Sequence, residues 1–434
     1  MIVPSIDIQG GQAVQLVGGR DKALDAGDPR PLAERFRVAG EIAVIDLDAA
    51  LGTGSNEELV RALCRVAPCR VGGGIRDLDA ARRWLDAGAA KIILGTAAAP
   101  ELLAQLPPHR VIVALDAVHG EVVVEGWRTR TGRSVAERLH ELDGLCGGYL
   151  VTFVEREGRM QGVDLAAAEA VVRAAGGARV TIAGGVTTAA EIAALDRLGA
   201  DAQVGMALYT GRLTLAEAIA APVTSDRTDG LWPTVVCDER GIALGLAWSS
   251  ATSLARALET GHGVYHSRRR GLWLKGETSG ATQELLRIDL DCDRDALRFV
   301  VRQHGPGFCH EGTASCWGEA EGLARLERTL AARRDGSPPG SYTRRLFDDP
   351  ALLRAKLVEE AGELADAEGP EAIAAEAADL FYFASVALAR AGVPLAAAER
   401  ALDRRALVVS RRPGDPKPAE GPNRAAPPAA EEEA

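Results

Sequence analysis

From residue 1 to about residue 222, short β-branched runs alternate with alanine- and leucine-rich stretches of helical period. The runs at 2–7, 43–47, 91–94, 111–116, 149–153, 179–183 and 202–204 read as strands, and 78–87 and 189–198 read as helices. Strand–helix alternation over this length predicts a parallel sheet, and eight such units close a (β/α)8 barrel. An internal repeat supports closure. Asp7 and Asp116 each end a strand, Gly73-Gly74 recurs as Gly184-Gly185, and Gly95 recurs as Gly205, all in one register. Paired glycines after a strand let a backbone approach a ligand, and the helix terminus that follows favours an anion. Two copies predict two phosphate sites on opposite sides of one barrel mouth, formed by Gly73, Gly74, Gly95 and Thr96 and by Gly184, Gly185 and Gly205. The plainer alternative is that these glycines serve only tight turns.

The pattern breaks between 220 and 230 at A-A-P-V-T-S-D-R-T-D-G, which reads as a linker. A second segment, taken as 228–319, opens with the strand-like L-W-P-T-V-V and is too short for another barrel. A third, 320–410, is rich in alanine, leucine and glutamate at helical spacing. It is interrupted at Pro338-Pro339-Gly340, and then predicts long helices at 350–367 and 370–391 and another from 394. The expected fold class is therefore multidomain: a (β/α)8 barrel over 1–222, a small, mainly-β α+β metal-binding domain, and an all-α helical bundle. The proline-, alanine- and glutamate-dominated stretch 411–434 is expected to be a disordered tail.

A chain of 434 residues exceeds one ordinary core, and its net charge of -11 argues against a general nucleic-acid binder. No apolar run suggests a membrane span, the first residues lack a signal pattern, and a cytoplasmic location is expected. Seven cysteines in no disulfide-like spacing leave Cys64, Cys69, Cys146 and Cys237 as small buried hydrophobes.

The densest chemistry lies between 265 and 316. S-R-R-R at 267–270 and L-W-L-K-G-E-T-S-G at 272–280 are followed by D-C-D-R-D at 291–295, C-H at 309–310 and S-C at 315–316. Thiolates suit a borderline ion such as zinc and carboxylates suit magnesium, so ligand hardness can sort two metals. Arginines and a lysine beside small residues suit a phosphorylated substrate. In the third segment, E-E-A-G-E at 359–363 places Glu359 and Glu363 on one helix face, and E-A-A-D at 376–379 does the same for Glu376 and Asp379. Standing alone, such runs are common on solvated helices.

These motifs carry three resemblances. V-P-S-I-D-I-Q-G-G-Q-A-V-Q-L at 3–16, V-G-G-G-I-R at 71–76 and V-G-M-A-L-Y at 204–209 resemble the isomerase of histidine biosynthesis, a TIM-barrel family that performs an Amadori aldose-to-ketose rearrangement on the bisphosphorylated ribotide ProFAR. The resemblance implies Asp7 as proton acceptor, Asp116 as proton donor and Thr152 as helper. D-L-D-A-A at 46–50 and G-T-G at 52–54 are similar to a relative that also isomerises phosphoribosylanthranilate, a secondary possibility. The middle segment resembles phosphoribosyl-AMP cyclohydrolase. That implies zinc on Cys292, Cys309 and Cys316, with one thiolate from the partner subunit of a homodimer, and magnesium on Asp291, Asp293 and Asp295. It also implies substrate contacts from Arg268, Arg270, Lys275, Glu277, Thr278 and Ser279. Trp248 and Glu311 depart from that family's usual residues. The third segment resembles phosphoribosyl-ATP pyrophosphohydrolase, implying magnesium on Glu359, Glu360, Glu363, Glu376 and Asp379. Phe383 stands there where many relatives carry histidine. The function expected is a trifunctional histidine-pathway enzyme with Zn2+ and Mg2+ as cofactors and phosphoribosyl compounds as small-molecule partners. The alternative is that one domain is inactive or has become a sensor of phosphoribosyl nucleotides.

Overall fold

The computed structural model describes residues 1–410 apart from Ser337 and Pro339, so the expected disordered tail and part of the Pro338–Gly340 interruption lie outside the described residues. Eight parallel strands form a closed ring. They are β1 (Ile2–Gln9), β2 (Ile42–Asp46), β3 (Cys69–Gly72), β4 (Lys91–Leu94), β5 (Val111–Val118), β6 (Gly148–Phe153), β7 (Arg179–Ala183) and β8 (Ala200–Val204). Ile2 pairs with Ala202, which shuts the barrel. The apolar pattern does not announce β3, because it carries Arg70. That side chain is almost fully buried and is neutralised by Glu41 at 2.6 Å, with Thr181 at 2.9 Å and Asp201 at 3.6 Å. A buried charge is tolerated when it is paired in this way.

Inside the ring, Ile93, Ile112, Leu150 and Ala183 pack as a plug, while the larger apolar layer lies between strands and helices. The repeat seen in the sequence extends further than the motifs. Both β1 and β5 are followed by an antiparallel hairpin, Gln12–Val17 with Asp21–Gly27 and Glu121–Val124 with Thr129–Ser134. Their outer strands are polar and largely exposed, which is why hydrophobic patterning missed them.

Beyond the linker come β9 (Trp232–Cys237), β10 (Ala243–Ser249), α1 (Ala251–Thr260), β11 (Val264–Ser267), β12 (Gly271–Leu274), β13 (Gln283–Leu290) and β14 (Leu297–Gln303). Four of these strands make a sheet in the order β10-β9-β14-β13, and β11 pairs with β12 as a separate hairpin. Tyr265 stacks obliquely on Phe299 at the centre of this unit, and its buried residues are continuous with the outer layer of the barrel.

The helical part comprises α2 (Gly322–Gly336), α3 (Tyr342–Asp348), α4 (Pro350–Asp366), α5 (Pro370–Arg390) and α6 (Leu395–Ala406). Its core is small: Leu330, Leu346, Leu353, Phe383 and Val386. Helix α5 is long and apolar enough, by length and composition, to cross a membrane, whereas no such run was expected. Alanines raise its hydropathy, but Glu376, Asp379 and Tyr382 interrupt it, and it packs along α4 and α2.

The units are tied by ion pairs and hydrogen bonds. Arg240 pairs with Glu399 at 2.8 Å and Arg400 with Glu239 at 3.2 Å. After α6, the chain returns to the barrel, where Val409 and Ser410 donate backbone N–H groups to Asp86 at 2.8 and 3.0 Å and Arg110 donates to the Leu407 carbonyl at 3.0 Å.

Candidate active sites

The barrel mouth is built from strand ends. Asp7 lies near the end of β1 in register with Ile45, and Asp116 near the end of β5 in register with Thr152. Burial pushes the Asp7 carboxyl up to about 7. It also raises Asp116, against which hydrogen bonds from Trp127 and Thr152 pull downward. Desolvation thus acts on both aspartates, but only Asp116 has donors that steady its anion.

A third carboxyl was not anticipated. Glu157, in the loop after β6, is pushed up to about 8, first by burial and then by the negative charges of Asp7 and Asp116. Glu157 therefore lies close enough to both aspartates to feel their charge. The motif V-E-R-E-G in the sequence is indistinguishable from a solvated loop, so only the fold exposes it.

The two hairpins and this loop close over the mouth. Gly18 donates its N–H to the Glu157 carbonyl at 3.1 Å. Trp127, itself at φ 67°, crosses from the second hairpin to the first, where a Cβ on Gly19 would meet its ring at 2.3 Å. Only glycine fits at that crossing.

The glycine pairs have a packing reason of their own. A Cβ at Gly73 would lie 2.1 Å from the Asp46 carbonyl oxygen, and one at Gly184 would lie 2.4 Å from that of Phe153. Both residues, and Gly74 and Gly185 after them, have φ in the left-handed region. Gly205 is crowded by Gln15 and Ser5. Gly95 faces open space at ordinary φ, so nothing within the fold demands its lack of a side chain. The Thr96 hydroxyl accepts from the Glu125 N–H at 3.3 Å.

In the second unit, the sequence-predicted residues fall into two groups. Cys309 sits in a turn where the backbone N–H of Glu311, and then the Thr313 hydroxyl, stabilise its thiolate and lower its proton affinity. Cys316 hydrogen-bonds with Cys309, and burial raises its thiol. Lys275, buried and close enough to feel both sulfurs, is lowered by desolvation. It donates to the Ala281 carbonyl at 3.3 Å and lies 5.3 Å from the centre of the Phe308 ring. Cys292 is elsewhere, on an exposed loop 3.9 Å from the Asp293 carboxylate. Among the described residues, the groups of three or more candidate ligands within 4.8 Å are carboxylates alone, so the three thiols do not gather within one chain.

The neighbouring loop does gather Asp291, Asp293 and Asp295 within 4.8 Å. Asp291 accepts backbone N–H groups from Asp295 and Ala296 at 3.0 and 3.1 Å, while crowding by Asp291 and Asp293 raises Asp295. An all-oxygen, mutually repelling set of this kind fits a hard divalent cation. The same unit has a cavity of about 510 Å3, lined by Asp229, Leu231, Ser250, Thr252, His266, Arg268 and Leu272. Trp248 lies under two guanidinium groups there, Arg227 at 4.2 Å and Arg268 at 5.6 Å. Arg270 packs over Trp273, and Glu277, Thr278 and Ser279 are exposed on the turn beyond β12.

In the bundle, Glu360 and Glu363 of α4 meet Glu376 of α5 within 4.8 Å. Glu360 is buried and accepts an ion pair from Lys356 at 2.7 Å. Glu363 is raised, by desolvation and then by Glu360 and Glu376. Glu359 pairs with Lys356 at 2.9 Å, and it and Asp379 stand outside the group of three. Phe383 fills the core, edge-on to Tyr342 and Tyr382.

Three family models match this chain in order: Histidine biosynthesis protein over residues 1–214, Phosphoribosyl-AMP cyclohydrolase over 245–318 and Phosphoribosyl-ATP pyrophosphohydrolase over 323–406. A histidine biosynthesis trifunctional protein of Neurospora crassa is 56% identical over 207 residues, covering 48% of this chain and 24% of that protein. A histidine biosynthesis bifunctional protein of Schizosaccharomyces pombe is 54% identical over 206 residues, 48% of this chain and 49% of its own length. A phosphoribosyl-imidazole-4-carboxamide isomerase of Gemmatimonas aurantiaca is 40% identical over 224 residues, 49% of this chain and 94% of that enzyme. The chain thus spans about a quarter of the trifunctional relative and half of the bifunctional one.

Proposed function

Since the chain belongs through its barrel to the histidine biosynthesis protein family and carries cyclohydrolase and pyrophosphohydrolase domains after it, we propose that it catalyses three steps of histidine biosynthesis. The helical unit releases pyrophosphate from phosphoribosyl-ATP. The middle unit opens the adenine ring of phosphoribosyl-AMP, and the barrel isomerises the resulting ProFAR. We divide the chain accordingly into 1–222, 228–319 and 320–410. The observation that carries this reading is that each family-matched segment has its own cluster of reactive groups, set apart from the other two.

In the barrel, Asp7 takes the proton and Asp116, steadied by Thr152 and Trp127, gives one. Two carboxyls in unlike surroundings can divide acid and base work. Asp7 with a proton affinity near neutrality is suited to that exchange. The substrate's two phosphates would rest on the loops of Gly73, Gly74, Gly95 and Thr96 and of Gly184, Gly185 and Gly205. The open space at Gly95 supports this.

In the middle unit, Cys309 and Cys316 would hold zinc with Cys292 of a second copy. The separation of Cys292 from the other two supports a site shared across a homodimer. So does an apolar patch left open on the sheet, where Val235 and Leu246 face each other, and the exposed Trp317 beside Cys316. When bound, zinc supplies a hydroxide near neutral pH, and three protein ligands leave the position it needs. Asp291, Asp293 and Asp295 would hold magnesium. Arg268 and Arg270 would grip the substrate phosphate, with Lys275, Glu277, Thr278 and Ser279 as further substrate contacts. In the bundle, Glu360, Glu363 and Glu376 fit magnesium by their oxygen set, with Glu359 and Asp379 at the margin of the site. There the ion would neutralise the triphosphate. Feeding purified protein each of the three substrates separately, with both metals present, tests the assignment; failure of any one reaction removes that domain from it.

A further inference from the structure

We infer that the barrel sets the shape of the loop at 291–295, with Arg294 and Asp196 acting as positioning residues for the cation held by Asp291, Asp293 and Asp295. The inference rests on reading that loop as the cyclohydrolase magnesium site and extends it to residues of another domain. Arg294 stands within the acidic loop at φ 67°, in the left-handed region that disfavours any residue with a side chain. Such a conformation persists only where its surroundings enforce it.

Those surroundings are the barrel and the linker. The Arg294 guanidinium straddles Asp196 of the barrel helix Ala189–Arg197, with Nε 3.2 and 3.1 Å from the two carboxylate oxygens and Nη2 at 3.1 Å. Its third nitrogen, Nη1, donates to the backbone carbonyl of Asp291 at 2.7 Å and so draws the start of the loop towards its end. On the other side, the Arg294 carbonyl accepts from the N–H of Thr224 in the linker at 2.7 Å and from its hydroxyl at 3.3 Å. Asp196 is itself fixed by the N-terminal ammonium of Met1 at 3.1 Å. Side-chain exposure is 25% for Arg294 and 14% for Asp196, so the pair is partly shielded from water and from salt.

The mechanical consequence is direct. Three carboxylates that repel one another have oxygens within 4.8 Å, and the residue between two of them is bolted to a neighbouring domain. Released, Arg294 would relax to ordinary φ and the carboxylates would spread.

The test is a titration of the full-length protein with Mn2+ as a magnesium probe, read by electron paramagnetic resonance. All samples carry Glu360→Gln and Glu363→Gln so that the helical carboxylates do not contribute. Arg294→Ala removes a positive charge beside the site, so electrostatics alone would tighten binding. The clamp predicts the opposite, weakening of about tenfold, the low end for outer-sphere partners of a metal. Asp196→Asn should weaken Mn2+ similarly and Asp196→Glu should recover most of the affinity, with isomerase activity retained as the control for folding. If Arg294→Ala binds Mn2+ as tightly as the parent or more tightly, the inference is wrong; so it is if Asp196→Asn leaves affinity unchanged while only lowering the melting temperature. Should Asp293→Asn itself leave Mn2+ binding intact, the underlying reading of the loop as a cation site fails instead.

Discussion

Asp7 is held near neutrality by burial alone, and that fact has two separable consequences. The first is chemical. Asp7→Asn should lower isomerisation by about 10²–10⁴-fold, the usual worth of a positioned proton acceptor, while pyrophosphate release and ring opening continue. Loss of all three activities would contradict independent sites. The second is energetic. The folded carboxyl binds its proton up to about pH 7, the unfolded one only to about its ordinary 3.8, so folding stability falls as pH rises between those values. Asp7→Asn removes that cost. It should melt higher than the parent at pH 8, with the difference shrinking towards pH 4; thermal scans across this range check it, and a pH-independent difference would refute it. At this scale the sequence was partly readable. Asp7 and Asp116 stand out because a charged residue closing a buried strand is rare, whereas Glu157 sits in a polar loop with nothing to distinguish it until the loop folds over the mouth.

The elements show where patterning succeeds and where it runs out. Seven barrel strands read as mainly apolar, β-branched runs, and the glycine pairs mark two of their turns. Strand Cys69–Gly72 stayed hidden behind Arg70, whose burial is compensated by partners distant in sequence. The hairpins after β1 and β5 were invisible for the opposite reason, being polar on their outer strands. In the turn around Cys309, the backbone N–H of Glu311 favours the thiolate, a contribution no motif contains. Cys309→Ser should abolish zinc content, measured by elemental analysis, and ring opening with it; unchanged zinc would exclude this ligand. On helix α4, i, i+4 spacing pointed to Glu359 with Glu363, but the turn of the helix brings Glu360 to Glu363 and Glu376 and leaves Glu359 on Lys356. Glu360→Gln should therefore cut pyrophosphate release by at least tenfold and spare isomerisation. Full activity would make the acidic helix a solvated face.

As a whole molecule, the chain places three reactive clusters on one body without merging them. The barrel and the β-domain share a continuous apolar layer, and the bundle is held through Arg240–Glu399 and the returning segment at Asp86. Neither tie of the bundle was legible beforehand, because they join residues 159 and 323 positions apart that belong to no motif. The order of domains along the chain is not the order of the proposed reactions, so fusion alone does not show channelling, and its simpler benefit is equal dosage and raised local concentration. The most direct measurement supplies purified protein with phosphoribosyl-ATP, Mg2+ and Zn2+ and follows every species by mass spectrometry. The account predicts successive appearance of phosphoribosyl-AMP, ProFAR and its ketose isomer, the last distinguished by chromatography. Accumulation that stops at any earlier compound would contradict it.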